Sequence, residues 1–281
     1  GINQNKNLFH CWKCGEKGNL PKLISRLLGI SYIEAKQIIN PISELKKALE
    51  DRDKKTMKVE EINKSKNFKL PNYTKPFIKD STNIWQEIWQ EIMQDFLVDK
   101  YNLTWEDILD AKLHYCFGGK YKNRIIIPIY IKSELVSFLA RSWDKNSKIK
   151  YLNCPNEISL INMKKLVYNL DNIRMGQNLI LVEGAFDCIK VKSIFSNVIA
   201  TLGNEVTQEQ KNLIVNLKPK NLLILADNDI NNPSTKKKAK ELANYFSPFM
   251  NTKYLEVPYK GKDPADLTKK ELECLISKWY T

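Results

Sequence analysis

The sequence predicts an α/β chain. A mostly parallel sheet with flanking helices fills the C-terminal half, preceded by a smaller mixed α+β basic subdomain and an N-terminal helical segment with a cysteine knuckle. Three observations predict this. From residue 178 on, short apolar runs alternate with stretches of helical periodicity, the pattern of parallel strands joined by helical crossovers. Residues 124–141 read instead as two adjacent strands, Arg-Ile-Ile-Ile-Pro-Ile-Tyr-Ile and then Leu135–Arg141. At the start, Cys11 and Cys14 flank a tight turn followed by glycines.

Each element has its own signal. Leu20–Ile39 carries apolar residues at roughly helical spacing, and Ser31 with Glu34 three residues on forms a capping box for a second helix. Residues 43–67 are Lys/Glu-rich with few large apolar side chains, which predicts an exposed helix and then a linker. Ordered structure restarts at Phe68-Lys69-Leu70-Pro71. Across 83–113, Ile84, Trp85, Ile88, Trp89, Ile92 and Phe96 recur at three- and four-residue intervals, so a helix with these residues in the core is expected. The two strands after Arg124 predict a small antiparallel region. In the C-terminal half, strands are expected at Leu179–Val182, Val198–Leu202, Leu222–Ala226 and Tyr254–Val257. Helices are expected at Phe186–Phe195, Thr207–Leu217 with Thr207 as its cap, and Thr235–Phe246. The resulting division is a cysteine knuckle with helices over 1–56, a linker over 57–82, a basic subdomain over 83–177, the parallel-sheet domain over 178–258, and an acidic motif with a tail helix over 259–281.

Composition excludes several classes. With 281 residues and 43% hydrophobic content, the chain can build a sizeable core and is not globally disordered. No apolar run approaches the ~20 residues of a membrane span, and no secretory signal pattern is present. Six cysteines, only two of them close together, do not form a disulfide framework, and a cytoplasmic setting follows. The formal charge of +13 makes a polyanion the natural partner, provided the cations gather at a site.

The informative residues are acids placed just after strands, where parallel sheets bind their ligands. Glu183 ends the first strand, Gly184 permits a sharp turn, and Asp187 falls in the first helical turn. Asp227 and Asp229 follow the third strand two residues apart, so they project to one side. Asp263 and Asp266 follow the last strand. Carboxylates gathered on one rim repel unless a cation neutralises them. Oxygen donors with no nearby His or Cys suit one or two Mg²⁺ or Mn²⁺ ions able to support in-line nucleotidyl transfer.

Glu-Gly-x-x-Asp, then Asp-x-Asp, then Asp-Pro-x-Asp resembles the Toprim domain. The flanks are similar to bacterial and phage primases of the DnaG type: Leu179–Asp187, Thr201-Leu-Gly-Asn, Thr207–Gln210, Asn123–Ile129, Arg141 and Lys150-Tyr-Leu-Asn-Cys-Pro155. The resemblance covers roughly residues 8–20 and 68–267. One departure is Ile230-Asn-Asn-Pro233, where many primases have Ala-Gly. It implies that Glu183, Asp227 and Asp229 are catalytic, that Asp187, Asp263 and Asp266 complete a metal-holding set, and that the reaction is RNA primer synthesis on single-stranded DNA from nucleoside triphosphates. It also implies that Lys120, Lys122, Arg124, Arg141, Lys148, Lys150, Asn153 and Lys262 carry template and nucleotide phosphates. Arg124→Ala and Arg141→Ala are expected to weaken template or nucleotide use without unfolding the chain.

By the same resemblance, Cys11-Trp-Lys-Cys14-Gly is one knuckle of a zinc ribbon. Its partner knuckle lies upstream of this start, so the Zn²⁺ site is expected to be incomplete here. No Gly-x-x-x-x-Gly-Lys-Ser/Thr loop is present, so a replicative helicase is expected as a partner, supplied separately or on an extension. A chain that opens without Met and ends fifteen residues after Asp266 fits a phage or mobile-element primase or a trimmed core, read as monomeric and away from membranes. The competing readings are a Toprim nuclease, a topoisomerase, for which the chain is short and which needs a nucleophilic Tyr, and a Toprim scaffold that only binds nucleic acid.

Overall fold

Strands covered by helices on both faces need apolar side chains in both phases of the pleat, and the runs at Leu179–Val182 and Leu222–Ala226 supply them. In the computed structural model they become β8 and β10 of a four-stranded, all-parallel sheet. The structure describes residues 2–3, 8–29, 31–32, 35, 68–79, 84–144, 146–203, 205–228 and 234–280. The chain divides into two units, residues 1–67 and 68–281.

In the first unit, β1 (Ile2–Asn3), β2 (Leu8–His10) and β3 (Lys17–Asn19) form an antiparallel sheet in that order. Helix α1 (Leu20–Leu28) follows, with Asn19 accepting the Lys22 N–H as its cap. Gly29, at φ 65°, ends it in the left-handed conformation, so the expected helical stretch to Ile39 is broken there. The Ala35 N–H donates to the Ser31 carbonyl, one helical bond of the expected second helix. Glu34 of the capping box and the expected helix and linker over 43–67 lie outside the described residues.

The second unit begins at Phe68. Strands β4 (Thr74–Pro76), β5 (His114–Cys116), β6 (Arg124–Ile131) and β7 (Glu134–Ser142) make a wholly antiparallel sheet in sequence order. β4 falls inside the stretch read as linker; its pairing to β5 makes it the edge of this sheet. The helical region over 83–113 is two helices, α2 (Ile84–Tyr101) and α3 (Trp105–Asp110). Asn102, at φ 48°, breaks the first, and Thr104 with Asp107 caps the second. The buried face of α2 carries Gln90, Met93, Phe96, Leu97 and Tyr101, while Ile88 and Ile92 are exposed. Gln90 explains the difference, because its amide both accepts from the Ile78 N–H and donates to the Ile78 carbonyl, which anchors that face inward. The side chains of Ile84, Trp85 and Trp89 lie outside the described set.

The parallel sheet comprises β8 (Leu179–Val182), β9 (Val198–Ala200), β10 (Asn221–Ala226) and β11 (Asn251–Glu256), in the order β11-β10-β8-β9. Its helices are α4 (Ala185–Lys192), α5 (Gln208–Asn216), α6 (Ser234–Phe246) and α7 (Lys269–Tyr280). Alternate residues feed two cores. Leu179, Leu181, Leu222 and Ile224 pack with Ile214 of α5 and Phe246 of α6. Ile180, Val182, Leu223 and Leu225 pack with Phe186 and Ile189 of α4 and with the helices before the sheet. Strand order reverses between β8 and β10, which creates the crevice where α/β sheets bind ligands.

Candidate active site: an acidic strand-end rim beside a basic sheet

Three neighbouring strands, β8, β10 and β11, carry Glu183, Asp227 and the Asp263–Asp266 turn after their C-terminal ends. Glu183 stands directly after β8 and Asp227 directly after β10, on either side of the switch point, and both are half-buried. Asp229 lies outside the described residues. The loops around them are tied together. The Leu202 N–H donates to the Glu183 carbonyl, and the Asn228 N–H donates to the Lys262 carbonyl. The Asn228 amide donates to the Val257 carbonyl. Asn228, which the sequence reading passed over, therefore fixes the β10 loop against the β11 loop.

Asp187 holds loops together. It is buried in the first turn of α4, where its carboxylate accepts the Gly184 N–H at 2.9 Å and the Ala265 N–H at 3.1 Å. It thus locks the β8 loop to the turn that carries the last two acids. Gly184 is needed here for proximity rather than for a turn. Its backbone is ordinary extended chain, but a Cβ would come within 2.6 Å of an Asp187 carboxylate oxygen. Burial first, and then the charges of Asp263 and Asp227, hold the Asp187 carboxyl well above the usual carboxylate range. Asp263 is also raised, by burial and by Asp266. Asp263 and Asp266 cap each other's backbone N–H across the short turn Pro264–Asp266, and Asp266 reaches Lys100 of α2 at 3.6 Å.

The acids crowd together tightly enough to perturb one another, and their donors are oxygen only, which suits a hard divalent cation. Among the described residues no three His, Cys, Asp or Glu side chains group closely enough to hold an ion unaided. Asp187, Asp263 and Asp266 each accept backbone N–H groups, and Glu183 and Asp227 stand at the strand ends on either side of the crevice. On the α5–α6 side a cavity of about 450 Å³ opens beside them, walled by Leu181, Ile224, Leu242 and Tyr245, with Lys211 and Lys238 at its polar edge.

The antiparallel sheet approaches from the other side. Arg141 is buried and stacks over the Tyr151 ring, 4.9 Å from its centroid. It also hydrogen-bonds Tyr101, whose hydroxyl burial pushes well up, with Asp263 and Asp187 adding to the rise. On this side Lys100 of α2 pairs with Asp266, and Arg141 acts on Tyr101, which the charges of Asp263 and Asp187 also reach. Arg124 is buried as well, and its guanidinium donates to the carbonyls of Ala140, Lys150 and Ile149 at 3.2, 3.3 and 3.0 Å. It is spent on holding the 149–151 segment against β7. Lys120, Lys122, Lys148, Lys150, Asn153 and Lys262 are exposed.

Sequence reading missed Lys190. It is fully buried in α4 and donates to the carbonyls of Tyr101 and Asn102 at the end of α2, at 3.0 and 2.8 Å. Desolvation pushes its ammonium below the ordinary lysine range. Next to it, Phe186 stacks flat on Tyr101 at 4.2 Å. This clamp fixes the acidic domain to the basic one. The available signal was a lysine set between Ile189 and Val191, both of them buried.

In the first unit, Cys11 and Cys14 sit at the tip of the β2–β3 hairpin, and the Gly15 N–H donates to the Cys11 carbonyl at 2.8 Å. Backbone and side-chain hydrogen bonds from Cys14 lower the Cys11 thiol. The two thiols thus share one hairpin turn.

Fold and site together define a catalytic core of the Toprim type, with a carboxylate rim at the switch point of a parallel sheet and a cationic antiparallel sheet facing it. Comparison with known proteins gives the particular family. Residues 55–174 match the N-terminal domain of the DNA primase catalytic core, and residues 180–268 match the Toprim-like family. A DNA primase of Clostridium acetobutylicum is 25% identical over 96% of this chain and 49% of its own length; one of Listeria monocytogenes is 24% identical over 95% and 49%. The chain thus spans about half the length of these curated relatives. The fold resembles the structure of the DnaG catalytic core, with a TM-score of 0.55, 20% identity, and coverage of 69% of this chain and 74% of that one. It likewise resembles a DnaG primase catalytic domain bound to single-stranded DNA, with a TM-score of 0.55, 19% identity and coverage of 68% and 71%. The chain belongs to the DnaG-type primase family. A Toprim-like domain in a primase implies use of a divalent metal, and no described helix is long and apolar enough to cross a membrane.

Proposed function

We propose that this chain is the polymerase core of a DNA primase, which synthesises short RNA primers on single-stranded DNA by metal-dependent nucleotidyl transfer. The observation that carries the reading is the adjacency of β11, β10 and β8, which brings Asp263, Asp227 and Glu183 to one rim within reach of the Arg141–Tyr151 face. Glu183, Asp227 and Asp229 would hold one or two Mg²⁺ or Mn²⁺ ions, which would supply charge neutralisation at the phosphates and make the primer 3′-hydroxyl more acidic. Glu183 also accepts the proton released as that hydroxyl attacks. Asp187, Asp263 and Asp266 keep the loops in place through the backbone bonds described above, and Asp263 lends its charge to the rim. Arg141 holds the phosphates of the incoming nucleotide. Lys120, Lys122, Lys148, Lys150, Asn153 and Lys262 carry the template, and Arg124 supports them by fixing residues 149–151. The single-stranded DNA bound by the related catalytic domain supports this choice of template. Cys11 and Cys14 supply half of a zinc site, and zinc content per chain tests that directly. A replicative helicase is the partner the family implies.

The test is incubation with single-stranded DNA, Mg²⁺ and labelled nucleoside triphosphates. New short oligomers support the proposal. Shortened DNA would assign the acids to a nuclease, and binding without product would make the chain a scaffold.

A further inference from the structure

Cross-strand register aligns Thr74, Cys116, Arg124 and Ser142 in one row across the antiparallel sheet. The next row outward is Tyr73, Phe117, Asn123 and Trp143, and it is hydrogen-bonded as well. The Phe117 N–H donates to the Tyr73 carbonyl at 3.2 Å, and the Trp143 N–H donates to the Asn123 carbonyl at 3.3 Å. One end of this row is Trp143, two residues beyond Arg141 on the same chain segment. The other end, three strand spacings or about 14 Å away, is Tyr73.

Tyr73 is held in an uncommon way. Its backbone sits at φ 65°, in the left-handed region that a bulky residue rarely adopts. Its ring rests on the Gly118 backbone, where a Cβ would come within 2.8 Å, and meets Phe117 edge-on at 5.9 Å. Even so, Tyr73 is 59% exposed. Exposed Lys75 stands two residues from Tyr73, exposed Lys120 and Lys122 follow its Gly118 bed, and none is in an ion pair among the described residues. Along the same end of the sheet, Thr74 Oγ1, Tyr121 Oη, Asn123 Oδ1, Arg141 Nε and Trp143 Nε1 are buried with no hydrogen-bond partner among the described residues. Such atoms are uncommon in folded proteins and call for a partner. An aromatic face fixed by its neighbours, with exposed lysines close by in the chain and orphaned polar groups along the same sheet end, suits a polyanion that also has flat bases.

We propose that Tyr73 is a base-stacking station for single-stranded DNA, the outer end of a track that runs along this sheet edge to Arg141. The inference rests on the template-binding reading of the basic sheet and names where the strand is gripped away from the acids. Gly118 is the bed that sets the ring's angle, and Lys75, Lys120 and Lys122 take the flanking phosphates.

Fluorescence anisotropy of a labelled oligothymidylate, measured with the full chain in EDTA without nucleotides, tests this. Tyr73→Ala should weaken binding roughly 5-fold or more, the loss of one stacked base, with the salt dependence unchanged. Tyr73→Phe should bind as the unaltered chain does. Gly118→Ala, which keeps the ring but lifts it from its bed, should also weaken binding. Melting curves should be unchanged for the two Tyr73 variants, since Tyr73 is a surface residue. Unaltered affinity in Tyr73→Ala, or an equal loss in Tyr73→Phe, would overturn the station and leave the primase reading standing. Tyr73-dependent binding by a chain that makes no primers would do the reverse. Failure of the unaltered chain to bind the oligonucleotide would overturn both.

Discussion

In the parallel sheet of the second unit the acids of the rim stand beyond the strand ends, whereas in the antiparallel sheet the two arginines lie within the strands themselves. The placement decides what each group is free to do. Glu183 and Asp227 follow β8 and β10 and face the crevice at the switch point. Arg124, inside β6, is claimed by three carbonyls of its own subdomain. A charge within a paired strand is surrounded by backbone acceptors, while one at a strand end is surrounded by loop and water. Chemistry therefore gathers at the ends, and the strand-borne cations become the frame that aims the exposed ones.

That contrast can be broken or sharpened by substitution. The largest effect should come from the strand-end acids. Glu183→Gln and Asp227→Asn should each cut primer synthesis by about 10²–10³-fold, the usual worth of one electrostatic group aimed at the reacting centre. Their melting temperatures without metal should hold or rise, because each change removes one of several crowded like charges. The clamp comes next. Lys190→Met leaves the carbonyls of Tyr101 and Asn102 buried and unsatisfied, and should cost about 2–4 kcal/mol in denaturant unfolding. Arg124→Ala should cost roughly 1–3 kcal/mol for the same kind of reason and loosen residues 149–151, with template binding impaired at elevated temperature first. That sharpens the sequence expectation, which took Arg124 for a direct contact. The smallest effects should come from the exposed lysines. Lys120→Ala and Lys122→Ala should change stability by less than about 0.5 kcal/mol. Each should lower the salt slope of DNA binding by about one, as read from anisotropy across a salt series.

Much of this was legible in the sequence, and the reasons are specific. The parallel sheet declared itself because its strands are apolar in both phases and its helices carry clear caps, such as Thr207 with Gln210. The acidic order was legible because a chain crossing one sheet must place its post-strand residues on one rim. Sequence spacing did not reveal which oxygens were already taken. Asp187 sits in the first helical turn as expected, yet its carboxylate binds Ala265, a partner 78 residues away. Lys190 was invisible for a like reason, since its acceptors lie 88 and 89 residues upstream at the end of α2. The α2 stripe was misplaced because periodicity gives a face but not which way it turns, and Gln90 turns it. Tyr73 fell in a stretch read as linker, since a three-residue edge strand leaves almost no periodic trace.

The central claim is that the strand-end carboxylates hold the divalent metal that drives synthesis. The most direct measurement titrates Mn²⁺ into the unaltered chain, Glu183→Gln and Asp227→Asn, following the electron paramagnetic resonance signal of the free ion, with primer synthesis assayed on the same samples. The account predicts that the unaltered chain removes Mn²⁺ from solution and makes primers, and that both variants lose ion binding and synthesis together. Variants that bind Mn²⁺ and make primers as the unaltered chain does would contradict it.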